Sequence, residues 1–311
     1  MKTNKFLSLL FVASFVLFSC QDQSSTKSID DGVIVNPETN EISLSNTTDE
    51  AVTLTYAFKK GVKVENVYTI NMEYEMMGQK MPSGIIMEGS FEILDVDSEG
   101  SADIKYAITS MKMDMAAQGL NFDSKDDKYK SNLQFAPLYK IIDKSIITKI
   151  KNNGEVLGAD YSEIMAEMGD EFEALKPQFE QNVNQFSQSS FPFLTDKPVK
   201  AGDKYEGDVI DQSISGINVK TANAYTVRSI SEDKSKVILE MDATMELNVV
   251  EALMGMEVSM NEGTIKGWLL LDLSQGLVVK SALKSTLDFT TEMQGQKNDM
   301  VIVTDMIMNI K

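Results

Sequence analysis

The sequence predicts a predominantly β protein of the α+β class, with two similar curved antiparallel sheets wrapped around a central helical segment. Three observations lead there. Apolar residues occupy alternate positions over long runs, they recur every three or four residues in one segment, and a set of landmarks returns in the same order in the second half of the chain. With 311 residues, 42% of them apolar and 24% charged, the chain has a globular balance and enough length for one large domain or two modest ones.

At the N-terminus, Lys2 and Lys5 precede an apolar run from Phe6 to Phe18. That run is too short to span a bilayer as a helix, so residues 1–19 read as an export signal. Leu17-Phe18-Ser19-Cys20 follows and resembles the lipobox of bacterial lipoproteins, whose cysteine is acylated and becomes the mature N-terminus. Cys20 is the only cysteine, so no disulfide within the chain is possible and lipidation is its expected use. Residues 20–50 read as the lipidated cysteine and a polar tether. Val33-Ile34-Val35 and Ile42-Ser43-Leu44, on either side of Asn36-Pro37-Glu38-Thr39-Asn40, predict a small hairpin at its end.

Residues 51–160 form the first expected sheet unit. Val62, Val64, Tyr68, Ile70, Met72, Tyr74 and Met76 alternate, as do Ile104, Tyr106 and Ile108, which is the mark of half-buried strands with one wet face. Asp97-Ser98-Glu99-Gly100 and Lys151-Asn152-Asn153-Gly154 predict hairpin turns. The run from Asp95 resembles the opening of a calcium loop, but its twelfth position is Tyr106 where a bidentate glutamate is required, so it reads as a plain turn.

Residues 161–198 are expected to hold the helical segment and a linker. Ile164, Met168, Phe172, Leu175, Phe179, Val183 and Phe186 follow helical spacing, Asp160 and Glu163 are placed as a capping box, and Pro177 predicts a kink or split near Lys176 that gives two shorter helices at an angle. Pro137 to Ile142 predicts a second short helix. The second sheet unit, residues 199–311, carries alternation from Val237 to Val249, from Leu277 to Phe289 and from Met300 to Ile310, with a turn at Leu273-Ser274-Gln275-Gly276. Phe58-Lys59-Lys60-Gly61 and Val199-Lys200-Ala201-Gly202 introduce the two units alike, which suggests a duplication.

Phe191-Pro192 and the stretch Lys197-Pro198-Val199-Lys200-Ala201-Gly202-Asp203-Lys204-Tyr205, taken with the lipobox, Phe58-Lys59-Lys60-Gly61 and the Asn-Gly turn, resemble uncharacterised lipoprotein families of Bacteroidota. Those families consist of a domain of unknown function spanning most of the mature chain. The resemblance implies an outer-membrane lipoprotein, facing the periplasm or the cell surface, and transfers no catalytic residue.

Composition narrows the chemistry. No histidine is present, which removes Ser-His-Asp triads, Cys-His dyads and histidine-ligated metals. The net charge is −18 and Arg228 is the single arginine, so nucleic acid is not an expected partner. Carboxylates such as Glu73 and Glu75, or Asp123, Asp126 and Asp127, leave a carboxylate-dependent hydrolase open as a minor reading. They read more simply as solvated faces and loops, and no enzyme activity or cofactor is expected.

The 20 methionines are the remaining signal. Met111, Met113 and Met115 share strand spacing, and three readings compete: core filling, a cradle for an acyl chain or similar apolar ligand, and a copper(I) site. The last suffers because in-line neighbours on one strand face stand roughly 6.6 Å apart. The expected role is a lipid-anchored envelope binding protein holding an apolar ligand, with Met111, Met113, Met115, Phe172 and Phe179 as lining residues and Cys20 as the anchor to the membrane. The alternative is a structural or interaction module with an envelope protein partner.

Overall fold

The computed structural model describes residues 32–36, 41–76, 78–115, 120–130, 132, 135–169, 176, 179–180, 183, 186–187, 190–214, 217–249, 256–293 and 296–311. A small hairpin of β1 (Val33–Val35) and β2 (Ile42–Leu44) comes first. The first half then contains β3 (Lys63–Met76), β4 (Gln79–Val96), β5 (Ala102–Met115), β6 (Leu120–Asp123), β7 (Ser145–Ile150) and β8 (Val156–Asp160). The second half contains β9 (Lys204–Ile214), β10 (Ile217–Ile230), β11 (Lys236–Val249), β12 (Met256–Asp272), β13 (Leu277–Met293) and β14 (Gln296–Ile310).

The expected α+β arrangement, two sheets around a central helix, is incorrect. The protein is nearly all β, 64% strand and 10% helix, and its strands β3 to β14 form one twelve-stranded antiparallel sheet. The order is β8-β7-β5-β4-β3-β14-β13-β12-β11-β10-β9, with β6 pairing the far part of β5. The two halves merge because β14 pairs with β3 along a run from Met300 opposite Met76 to Ile310 opposite Asn66. Alternation reveals which face of a strand is buried but not which strand lies beside it, and this pairing joins segments more than 200 positions apart in the sequence.

Bulges keep the buried face continuous. Between β4 and β5 the register steps from Glu88 opposite Ser110 to Gly89 opposite Ile108, leaving Thr109 as the extra residue. This puts Ile104, Tyr106 and Ile108 on the same concave face as Met111, Met113 and Met115, although the two sets differ in parity.

The helical elements are short. α1 (Ala136–Ile141) carries Pro137 in its first turn, where the missing N–H costs nothing. α2 (Ser162–Met168) buries Ile164 and Met168 and ends at Gly169, whose φ of +58° stops the helix after two turns. The expected capping box does not close. Asp160 accepts a hydrogen bond from the Ser162 amide at 2.9 Å, but the Glu163 carboxylate accepts instead from the Ser145 amide on β7 at 2.8 Å. Residues 176, 179, 180, 183, 186, 187 and 190 are helical, while Phe172, Leu175 and Pro177 of the expected stripe lie outside the described residues.

Two hairpin turns seat the chain crossing the open end of the sheet. Gly154, at φ +92°, lies so close to the Phe191–Pro192 backbone that an added Cβ would meet Pro192 O at 2.6 Å. Gly276, at φ +71°, is held in the same way against the backbone of Ala57 and Phe58. Tyr56, Phe58 and Phe191 pack ring against ring between them, at centroid separations of 5.5 to 5.9 Å. On the convex face, β1 and β2 cover a separate cluster in which Ile42 packs with Ile238, Trp268 and Leu270.

Candidate ligand-binding site

Period-two strands aim one set of side chains at the concave face, and the helical elements roof that face over the first half of the sheet. Between floor and roof lies an apolar crevice. Its floor is Met87 and Phe91 of β4, Ile104, Tyr106 and Ile108 of β5, and Ile146, Thr148 and Ile150 of β7. Its roof is Ile141 of α1, Ile164 of α2, and Phe179, Val183 and Phe186 from the helical residues beyond. The crevice is partly open to solvent and has a volume of about 60 Å³.

The lining is aromatic at its centre. Phe186 lies 4.3 Å from Tyr106 and 5.9 Å from Phe91, ring centroid to ring centroid. Tyr106 is 7% exposed and its hydroxyl has no hydrogen-bond partner among the described residues. Burial pushes its acidity well away from the neutral range, so it is a neutral phenol that can donate one hydrogen bond. Lys144, at the edge of the crevice, is engaged with Glu167 at 3.1 Å.

Of the residues expected to line a ligand, Phe179 lines this crevice. Met111 stands opposite Met87 of the floor, and Met113 opposite Ile85 and Phe122. Met115 pairs with Leu120. These three methionines share the concave face but lie beyond the crevice, towards the hairpin tips. Phe172 and Cys20 lie outside the described residues. Sequence reasoning missed Met87, Tyr106 and Ile146, although the alternation at Ile104, Tyr106 and Ile108 was the available signal.

Towards the tips the concave face is more open. Met300 opposes Phe289, which opposes Met260, and all three are half-buried, as are Met81 and Leu247. The result is a band of thioether, aromatic and leucine side chains with partial access to solvent.

The carboxylates considered in the sequence serve local contacts. Glu73 and Glu75 both face Lys80, at 2.5 and 3.9 Å, and Asp126 caps the short helical turn at Asp127–Tyr129. The Asp95 to Gly100 run is the end of β4 followed by a turn in which the Asp97 carboxylate accepts from the amides of Glu99 and Ser101. Among the described residues no group of three or more histidine, cysteine or acidic side chains is arranged to hold a metal ion. No helix among them is long and apolar enough to cross a membrane.

A family model described as a family of unknown function, DUF6263, matches residues 99–278, more than half of the chain. The chain belongs to the DUF6263 family. In this DUF6263 chain the matched stretch begins in the turn before β5 and ends at the start of β13, so it includes β7, α1, α2 and most of the crevice. Comparison with curated proteins gives no match. Among solved structures, one on lipid-protein interactions in lipovitellin is similar at 9% identity and a TM-score of 0.45. It covers 82% of the DUF6263 chain, which spans only 25% of the lipovitellin chain. DynF from the dynemicin biosynthesis pathway of Micromonospora chersina is similar at 8% identity and a TM-score of 0.23, over 85% of this chain and 87% of its own. A mutant porin of Rh. blastica is similar at 8% identity and a TM-score of 0.24, over 80% of this chain and all of its own. At these scores the likenesses establish neither a shared fold nor a shared ligand.

Proposed function

We propose that this chain is a lipid-anchored envelope protein that holds an apolar ligand, such as an acyl chain, between the concave face of its sheet and the helical roof. The crevice between β4, β5, β7 and the roof carries this reading, because its lining is almost wholly carbon and the buried hydroxyl of Tyr106 has no partner among the described residues. The half-buried band of Met81, Met260, Met300 and Phe289 extends the same surface. Thioether side chains adapt to ligands of varied shape. The reading places Cys20 under an acyl anchor at the outer membrane, facing the periplasm or the surface. It assigns the chain no covalent chemistry, no cofactor and no nucleic-acid partner.

Native mass spectrometry of the full chain, extracted from membranes in mild detergent, tests the ligand. Adducts of lipid mass, together with Nile red emission that rises on binding, are the expected result. A protein with neither adducts nor Nile red binding is not a carrier. Detergent-phase partitioning tests the anchor: the wild type should enter detergent and Cys20→Ser should stay in buffer.

The second reading, an interaction module, draws on the sheet edges. Among the described residues, strands β8 and β9 pair on one side only, and Leu157 and Val209 on them are 47% and 52% exposed. Unpaired strand edges are templates for another strand. Cross-linking at Leu157→Cys and Val209→Cys that captures an envelope protein, in the absence of bound lipid, would favour it.

A further inference from the structure

The cross-strand register aligns inward-facing side chains into rows that run across the sheet, and one row differs from its neighbours. Ser83 of β4 opposes Met72 of β3, which opposes Thr304 of β14, which opposes Ser285 of β13. The row continues through Ile265 and Ala243 to Asn223 of β10. On one side of it lie Ile85, Ile70, Met306 and Leu283, and on the other Tyr74, Ile302 and Leu287. Ser83, Thr304, Ser285 and Asn223 thus lie in one row, with Met72 between the first two and Ile265 and Ala243 before the last, and this trough runs between two apolar ridges.

Four oxygens in this trough lack partners. Ser83 Oγ, Thr304 Oγ1, Ser285 Oγ and Asn223 Oδ1 have no hydrogen bond among the described residues. The exposures of the four residues are 8%, 0%, 5% and 8%. A buried hydroxyl without a partner is costly, and four in one row are not explained by packing, since alanine or valine would fill the same space without the cost. Along Ser83, Met72, Thr304 and Ser285 and the rows on either side of them no charged side chain faces inward among the described residues; at the far end Asp208 lies opposite Asn223, and the chain as a whole carries −18. The chemistry that satisfies such a row is therefore uncharged and bears oxygens that accept or donate hydrogen bonds.

We propose that the Ser83–Thr304–Ser285 trough is a polar subsite selecting a neutral lipid with ester or hydroxyl oxygens, whose acyl part lies on the Met-lined face beside it. The proposal deepens the lipid-binding reading and rests on it. A fatty-acid carboxylate is disfavoured because the trough has no cation to meet it and desolvating an unpaired charge is expensive. A plain hydrocarbon leaves the row unsatisfied.

The test uses the full chain with Nile red as a probe of the apolar face, displaced by monoolein or by oleate. Monoolein should displace the probe at lower concentration than oleate. The double variant Thr304→Val/Ser285→Ala keeps shape and removes two hydroxyls; its affinity for monoolein should fall about tenfold, the factor that one to two net hydrogen bonds set, with Nile red binding unchanged. Its thermal midpoint should hold or rise, because unpaired groups are removed. Ser83→Ala alone should give a smaller loss in the same direction. Equal monoolein affinity in wild type and double variant, or oleate binding as tightly as monoolein, overturns the subsite. Failure of the wild type to bind Nile red and monoolein at all overturns the carrier reading itself, so the two failures are distinct.

Discussion

The phenol of Tyr56 donates a hydrogen bond to the carbonyl of Pro192 at 2.9 Å, joining two segments 136 positions apart. Both segments cross the same end of the sheet, and Val52 and Val199 pair there through two backbone hydrogen bonds of 2.8 and 2.9 Å. The Tyr56 ring is 2% exposed, so neither partner has water to fall back on. Tyr56→Phe keeps the ring packing against Phe58 and Phe191 and leaves the Pro192 carbonyl without this donor. It should cost about 1–3 kcal/mol of stability, read as a lower denaturation midpoint at unchanged slope.

The turn glycines separate two effects. Gly154→Ala adds the strain of positive φ to a clash with the Phe191–Pro192 backbone, and should cost about 3 kcal/mol. Gly202→Ala has a similar φ, +91°, but no atom within 4 Å of the new Cβ, and should cost only about 1 kcal/mol. Urea denaturation of the pair checks the difference; equal losses would mean that the close approach does not matter.

Glu88 gathers Lys125, Lys311 and Ser110 at 2.7 to 2.8 Å, which ties the end of β14 to β4. Hydrogen bonds from Lys125, then Lys311 and Ser110, hold its carboxyl down at about 2. The folded state therefore binds this proton less tightly than the unfolded chain, where a glutamate titrates near 4.3. Its contribution is complete above that value and is lost as the pH falls towards about 2. Glu88→Gln should be less stable than wild type at neutral pH, and the gap should close between about pH 4.5 and pH 2.

Trp268 is the only tryptophan and lies 7% exposed beneath the β1–β2 hairpin. Ile42→Asp places a charge against Ile238 and Leu270 and should lift the hairpin from the convex face. Tryptophan emission should shift to the red and become open to acrylamide quenching, with Nile red binding on the opposite face retained.

Much of the strand layout was legible. Alternation at Tyr68 to Tyr74, at Ile104 to Ile108 and from Val237 to Leu247 marks residues that face the core, and the turns at Gly100, Gly154 and Gly276 fall where the sequence puts them. The β1–β2 hairpin was also readable from Val33-Ile34-Val35 and Ile42-Ser43-Leu44. The sheet count was not, because the β14–β3 pairing is a choice between edges that local pattern leaves open. The helical stripe from Ile164 predicts a break near Lys176, into two shorter helices, whereas Gly169 already stops α2 at Met168. A lone glycine inside an apolar period is tolerated as often as it ends a helix, and only its φ of +58° distinguishes the two.

The binding surface divides in the same way. Met111, Met113 and Met115 announced an apolar face, but which methionines meet the roof depends on the bulge at Thr109 and on where Phe179, Val183 and Phe186 come down. The row joining Ser83, Thr304 and Ser285 draws on strands far apart in the sequence, and no periodicity within one strand reveals it.

The amino-acid order alone settled the β character, the strand faces, the turns and the absence of histidine chemistry, since each depends on neighbours a few residues away. Only the tertiary structure decided that the two halves share one sheet, that the roof covers the first half of the concave face, and that four unpaired oxygens fall into a line. Those outcomes come from pairings between distant strands, where the gain from burying a shared face offsets the entropy of closing long loops, and that balance is struck by the whole chain at once.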